Sequence, residues 1–97
     1  MTGKTDGPPS TLSKRVQIKN ELGLHARAAA VISNKAQAAS STIWIIKEDE
    51  MVNAASIIDI LTLACAKGTW ITIASDNPAD HPVLLDILES VQSGFGE

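Results

Sequence analysis

Residues 23–29 read Gly-Leu-His-Ala-Arg-Ala-Ala and place a histidine directly before a run of helix-forming residues. The first turn of a helix has backbone N–H groups without intrahelical partners, and its dipole adds about half a positive charge. An anion on or beside His25 would be stabilised there. Arg27 adds a guanidinium whose planar donors suit a phosphate. A histidine that carried a phosphoryl group for a time would need such a setting, and Ala26 and Arg27 are the candidates to contact the phosphoryl oxygens.

The composition limits the functions that the chain can have. Its 97 residues, 44% of them apolar, are enough for one domain with a single core. A net charge of −3 with no basic run argues against a nucleic-acid surface. Cys65 is the one cysteine and has no neighbours at zinc spacing, which indicates a reducing compartment and a buried or loop residue. We expect no metal and no cofactor.

The domain organisation follows from the change in composition near residue 12. Residues 1–11 are rich in Thr, Gly, Pro and Ser and have no apolar centre, so they are neither a signal peptide nor a membrane span. We expect a disordered leader over residues 1–11 and one folded domain over residues 12–97.

Apolar periodicity and capping signals predict seven elements in the order β-α-β-β-α-β-α. Because hairpin strands are antiparallel, the simplest α+β arrangement is a four-stranded antiparallel sheet with three helices on one face and water on the other. The predicted strands cover residues 12–19, 42–47, 51–54 and 70–75, and the predicted helices cover residues 26–38, 57–63 and about 80–93.

Two tryptophans, Trp44 and Trp70, are predicted on the open face of this sheet. Paired aromatic side chains across strands are common and stabilising, so we expect the two rings to pack on each other. An additional partner site is the alternative interpretation. The second histidine, His81, has no arginine two residues later and is expected to be a surface residue.

Three blocks of sequence, in order, resemble the histidine-containing phosphocarrier (HPr) family of the bacterial sugar phosphotransferase system. They cover the residues before the first helix, those before the second helix and the last strand, and the resemblance runs from about residue 12 to residue 93. The blocks are Gly-Leu-His-Ala-Arg at 23–27, Val-Asn-Ala-Ala-Ser-Ile-Ile at 52–58 and Lys-Gly-Thr-Trp-Ile-Thr-Ile at 67–73.

The resemblance implies an open-faced β-sandwich and a cytoplasmic, monomeric phosphocarrier that is not a stand-alone catalyst. It implies that the chain takes a phosphoryl group from enzyme I and passes it to the A domain of a sugar permease. His25 would be phosphorylated on Nδ1, and Arg27 would stabilise the phosphoryl group. A neutral histidine is nucleophilic near neutral pH, which agrees with this role. By itself, a histidine before a helix is more often an ordinary cap.

The second helix carries two further expectations from the resemblance. Ser56 matches a position that HPr kinase/phosphorylase modifies in many Gram-positive members, although a serine at a helix start is also a routine N-cap. Ile57, Ile58 and Leu61 match an apolar patch that binds enzyme I and permease domains. Ile60 and Leu63 are the better candidates for the core. The sequence carries no indication of nucleic-acid binding or of membrane insertion.

Three alanines depart from the family pattern. Typical members have a proline where this chain has Ala28, many have a basic residue at the position of Ala55, and glycine is common at the position of Ala64. The missing basic residue would weaken electrostatic steering towards an acidic partner domain. Two alternatives therefore stay open. One is an HPr paralogue in a regulatory, nitrogen-type phosphorelay, and the other is a non-catalytic ligand-binding module, against which Arg27 argues.

Overall fold

The computed structural model describes residues 12–97, so the leader expected over residues 1–11 lies outside the described residues. The elements come in the predicted order. The strands are β1 (Leu12–Gln17), β2 (Ile43–Lys47), β3 (Glu50–Asn53) and β4 (Trp70–Ser75), and the helices are α1 (Ala26–Ala36), α2 (Ile57–Thr62) and α3 (His81–Gln92). A short 3₁₀ turn precedes α3, and a tight turn with positive φ values follows it.

The four strands form one antiparallel sheet in the order β1-β4-β2-β3. In the paired register, Val16 lies opposite Ile71, and Ile45 lies between Ile73 and Val52. These alternating β-branched side chains point to one face, as the period of two requires. That face is buried beneath the helices, and the other face of the sheet is uncovered. The predicted α+β, open-faced architecture is confirmed.

The helices cover the sheet through small and branched side chains. Ala29, Ile32 and Ala36 form the buried face of α1, as predicted from their spacing. Because alanine has a short side chain, α1 can lie close to the sheet. The apolar stripe of α3 is buried at Leu84, Ile87 and Val91. The helices thus bury the inner face of the sheet.

Several predicted boundaries were too long by one or two residues. The first strand ends at Gln17 because Ile18 already exchanges hydrogen bonds with the turn at Gly68 and Thr69. The first helix ends at Ala36. The Gln37 amide still bonds four residues back to Ser33, but the amides of Ala38 and Ala39 bond only three residues back, to Lys35 and Ala36.

The expected packing of Trp44 on Trp70 is wrong. Trp44 lies opposite Ala74, four residues along β4 from Trp70, which is about 13 Å at the usual rise of a strand. Each ring has a different partner. The guanidinium of Arg15 lies 4.5 Å from the Trp70 ring centre, and Nε1 of Trp44 donates a hydrogen bond to Asp76 at 3.2 Å. The residue types in β2 and β4 do not by themselves determine which residues of the two strands pair.

No helix among residues 12–97 is long and apolar enough to cross a membrane.

Candidate functional site

The loop before α1 is held by contacts that only glycine allows at position 23. Gly23 has φ +65°, and a Cβ atom there would lie 2.2 Å from the carbonyl oxygen of Cys65. The next residue, Leu24, donates its N–H to the same oxygen at 2.9 Å. The buried Asn20 side chain donates to the Gly23 carbonyl at 2.7 Å. The backbone that leads into His25 is therefore fixed against the segment before β4.

Two side chains in and around this loop have a shifted pKa. Burial raises the pKa of the Cys65 thiol, so this side chain stays neutral and packs in the core. The exposed Glu21 forms an ion pair with Lys67, which lowers the pKa of the Glu21 carboxyl group. Cys65 is buried, which is one of the two placements that the sequence predicted, and the Glu21–Lys67 pair joins two surface loops.

His25 is the N-cap of α1. Its backbone is extended, and its Nδ1 atom accepts a hydrogen bond from the N–H of Ala28 at 3.1 Å. A backbone N–H can only donate, so Nδ1 must be the unprotonated nitrogen and the ring hydrogen lies on Nε2. The imidazole side chain is 25% exposed. The site therefore presents Nδ1 as the nucleophilic nitrogen of a partly accessible ring.

The other ring nitrogen contacts the end of the chain. Nε2 of His25 lies 3.0 Å from Oε2 of Glu97. The second carboxylate oxygen of Glu97 lies 3.4 Å from the Asn20 amide nitrogen. Both nitrogens of the His25 ring thus have a partner, one in α1 and one in the tail after α3.

The first turn of α1 also offers donors to an anion. The amides of Ala26 and Arg27 have no hydrogen-bond acceptor within residues 12–97. The Arg27 side chain is exposed and makes no ion pair with any residue that the structure describes. Two free amides and a free guanidinium therefore lie within two residues of His25, where a helix N-terminus favours negative charge.

Arg27 also lies at one wall of a groove between α1 and α2. The groove has a volume of about 510 Å³, and Ile57 forms part of its opposite side. Ile57, Ile58 and Leu61 are 40%, 73% and 39% exposed, whereas Ile60 is fully buried. This division between surface and core agrees with the sequence prediction. An exposed apolar patch therefore lies beside the free cation.

Ser56 is the N-cap of α2. Its hydroxyl oxygen accepts a hydrogen bond from the N–H of Asp59 at 3.2 Å, as the capping pattern predicted. The carboxyl group of Asp59 lies in the first turn of the same helix. The structure thus gives Ser56 a structural role in α2.

The comparisons with known proteins identify the family. A family model described as "PTS HPr component phosphorylation site" matches residues 12–93. The chain belongs to the HPr family. It is 35% identical over 86 residues to the phosphocarrier protein HPr of Neisseria meningitidis, covering 89% of this chain and 97% of that protein. It is also 37% identical over 81 residues to the HPr-like protein Crh of Halalkalibacterium halodurans, covering 84% of this chain and 96% of that one.

The solved structures agree with this assignment. The structure superimposes on the crystal structure of a phosphocarrier protein HPr from Bacillus anthracis with a TM-score of 0.79 at 35% identity. The match covers 86% of this chain and 99% of that chain. The chain is thus similar to bacterial phosphocarriers of the phosphotransferase system in both sequence and fold.

Within the HPr family, the departure at Ala28 now has a structural consequence. The N–H that contacts Nδ1 of His25 belongs to Ala28, and the proline typical of the family has no N–H to donate. This chain therefore holds its candidate phosphorylated nitrogen with a hydrogen bond that a proline could not make.

Sequence reasoning named His25 and Arg27 as candidate site residues but did not indicate the contacts of Glu97 and Asn20 with this loop. Glu97 is 72 positions after His25, and a polar residue in a glycine-containing tail has no periodic or motif signal. Asn20 is only five residues before His25, yet asparagine in a loop is ordinary. Both contacts depend on the path of the tail after α3, which the local sequence does not reveal.

Proposed function

We propose that this chain accepts a phosphoryl group from enzyme I on Nδ1 of His25 and passes it to the A domain of a sugar permease. The observation that carries the proposal is the protonation state of the His25 imidazole ring. Nδ1 accepts from the Ala28 amide and is therefore unprotonated, while the amides of Ala26 and Arg27 beside it are free of partners within residues 12–97. The ring supplies a nucleophile, and the helix terminus supplies donors for the transferred group.

Arg27 is proposed to stabilise the phosphoryl group in the carrier and during transfer. Its guanidinium is exposed, and it pairs with no carboxylate in the described part of the chain. A planar set of donors can bind two phosphate oxygens at once. The free cation would therefore compensate the negative charge that arrives with the phosphoryl group.

The apolar patch of Ile57, Ile58 and Leu61 is proposed to be the docking surface for both partners. It lies across the groove from Arg27, so a protein seated on the patch would bring its own reactive group towards His25. Exposed apolar side chains close to a reactive centre commonly form the centre of an interface. A carrier that presents one such face to successive partners would act in the cytoplasm as a monomer.

The experiment is a transfer assay with phosphoenolpyruvate and enzyme I. We expect an acid-labile, base-stable phosphate on the protein, followed by loss of that label when the A domain of a permease is added. His25→Ala should abolish labelling. His81→Ala is the matched control, because His81 is an exposed histidine at the start of another helix, and it should be labelled normally. A label that survives His25→Ala would contradict the proposal.

Regulatory phosphorylation of Ser56 by HPr kinase/phosphorylase is a separate proposal. Its support is the half-buried hydroxyl at the start of α2, next to the docking patch. A phosphate there would add nearly two negative charges near Asp59, which repels them and would weaken docking. Incubation with such a kinase and ATP should label the wild type and not Ser56→Ala. No phosphate on the wild-type protein would overturn the proposal.

A regulatory, nitrogen-type phosphorelay is the second candidate. The observation in its favour is the charge of the α2 surface, where Asp59 is the only charged residue of the helix and Ala55 replaces a basic residue. The chemistry at His25 would be unchanged. Transfer to the A domain of a nitrogen-type permease homologue but not to that of a sugar permease would favour this candidate.

A further inference from the structure

The tail after α3 has an unusual backbone that brings Glu97 to the His25 ring. Gly94, Phe95 and Gly96 have φ values of +67°, +59° and +78°, so three consecutive residues are in the left-handed region. Glycine adopts this conformation freely, but a residue with a side chain such as Phe95 does so at a cost of about 1–2 kcal/mol. Phe95 is partly buried against the core, which compensates that cost. The turn therefore has a definite structure that ends at the candidate site.

Glu97 is held at the site from two sides. One carboxylate oxygen lies 3.0 Å from Nε2 of His25, and the other lies 3.4 Å from the amide nitrogen of Asn20. Asn20 is only 5% exposed, and its side-chain oxygen Oδ1 has no hydrogen-bond partner among the described residues. The amide nitrogen of Asn20 thus contacts both the Gly23 carbonyl oxygen, at 2.7 Å, and the Glu97 carboxylate.

We propose that Glu97 is a positioning residue for His25, and this proposal rests on the proposed phosphocarrier function. Its carboxylate accepts the hydrogen of Nε2 and so keeps the lone pair on Nδ1, while the Ala28 amide fixes the ring from the other side. The arrangement resembles a carboxylate that orients a catalytic histidine and stabilises the imidazolium that forms.

The contact between Glu97 and Nε2 also stabilises the positive charge that the His25 ring acquires when it is phosphorylated. Nδ1 attacks the phosphorus atom of the donor, a bond forms between Nδ1 and phosphorus, and the bond to the donor breaks with its electron pair leaving to the donor. The hydrogen on Nε2 stays, so the ring becomes positively charged next to the Glu97 carboxylate. On transfer to the acceptor, the bond between Nδ1 and phosphorus breaks, its electron pair returns to Nδ1, and a neutral imidazole leaves. Without the Nε2 hydrogen, the leaving group would be an imidazolide, which leaves poorly.

Three variants test the role of Glu97. Glu97→Ala removes the hydrogen bond and the charge, Glu97→Gln keeps an acceptor oxygen and removes only the charge, and Glu89→Gln is the control. Glu89 is exposed on α3 and makes no hydrogen bond or ion pair from its side chain within residues 12–97, so its replacement makes the same change in net charge away from the site.

Two readouts separate positioning from a merely structural role. ¹⁵N NMR of the resting ring should show the Nε2–H tautomer in the wild type, Glu97→Gln and Glu89→Gln, and a mixture of tautomers in Glu97→Ala. The rate of phosphotransfer from enzyme I should fall about ten- to hundredfold in Glu97→Ala and less in Glu97→Gln, as expected for the loss of one hydrogen bond to a charged group. Glu89→Gln should match the wild type, and all four proteins should have the same thermal stability within a few degrees.

The proposal is overturned if Glu97→Ala keeps the Nε2–H tautomer and the wild-type transfer rate while the wild type is labelled on His25. The tautomer is measured on unphosphorylated protein. A wild type that takes up no label would therefore contradict the phosphocarrier function, and the NMR comparison would still decide the role of Glu97.

Discussion

At the scale of single residues, the site depends on which hydrogen bond each nitrogen of His25 makes. The Ala28 amide donates to Nδ1, and Glu97 lies next to Nε2. After phosphorylation, Nδ1 has no lone pair left, so the Ala28 N–H becomes free to donate to a phosphoryl oxygen. A hydrogen bond to a charged oxygen is worth about twice one between neutral groups. Ala28 should therefore stabilise the phosphorylated form more than the resting form.

Ala28→Pro tests this consequence. The substitution removes the N–H but suits the first turn of a helix, where this amide has no intrahelical acceptor. We expect the equilibrium of phosphoryl exchange with enzyme I to shift about fivefold away from phosphorylated His25, from the loss of about 1 kcal/mol. The measurement is the labelled fraction at fixed concentrations of phosphoenolpyruvate and pyruvate. Ala28→Ser, which keeps the N–H, should behave as the wild type, and a shift towards the phosphorylated form in the proline variant would contradict this account.

Arg27→Ala tests the free cation. Because the guanidinium has no other partner in the described chain, its loss should leave the fold unchanged and remove a charge-assisted contact with the phosphoryl group. Such contacts are worth about 1.5–3 kcal/mol, so the transfer rate should fall about ten- to hundredfold. Arg27→Lys should recover part of the rate, since it restores charge but not the planar donors. Equal rates in Arg27→Ala and the wild type would show that the cation does not contact the transferred group.

At the scale of elements, the end of α2 shows how a departure from the family pattern affects stability. Leu63 caps the helix, and the next residue, Ala64, has φ +53°. This is the left-handed position that commonly follows a helix and favours glycine. An alanine there carries strain that a glycine would not.

Ala64→Gly should stabilise the protein by about 0.5–1 kcal/mol, which is the relief of strain less the greater flexibility of glycine when unfolded. In a domain of this size, that change would raise the melting temperature by about 2–8 °C. Ala66→Gly is the control, because Ala66 is exposed nearby and is not among the residues with positive φ. It should be neutral or destabilising. A fall in melting temperature for Ala64→Gly would contradict the strain argument.

The exposed patch on α2 gives a second prediction at this scale. Ile58 is 73% exposed, so Ile58→Glu should leave the melting temperature nearly unchanged and slow transfer from enzyme I about tenfold or more, as for a residue in the centre of an interface. Leu85→Glu is the control, since Leu85 is 42% exposed on α3 and does not belong to the patch. Equal transfer rates in the two variants would remove Ile58 from the docking surface.

The elements also show what the sequence could and could not predict. Helix α1 and strand β4 were predictable because their apolar periods and capping residues are local signals, and the buried Ile32 and Ile73 follow from them. The packing of the tryptophans was not predictable. It depends on which residues pair between β2 and β4, and the registered pair is Trp44 with Ala74. Register is a property of two strands and their turns, not of either strand alone.

At the scale of the whole molecule, the candidate site belongs to the layer of helices on the covered face of the sheet. The helices bury one face and bring the N-termini of α1 and α2 to the same region, where His25, Arg27 and the Ile57 patch lie. His25 and Arg27 could be predicted because they share one short motif. Glu97 could not, since it reaches His25 only after the chain has passed through all four strands and α3.

The central claim is that Nδ1 of His25 is the atom that takes the phosphoryl group, because the Ala28 amide and the Glu97 carboxylate leave the ring hydrogen on Nε2. The most direct test is ¹⁵N and ³¹P NMR of protein labelled at the histidine ring nitrogens, recorded after phosphorylation by enzyme I and phosphoenolpyruvate. We expect coupling between phosphorus and Nδ1 of His25, with the spectrum of His81 unchanged. Phosphorus bonded to Nε2, or to no atom of His25, would contradict the account.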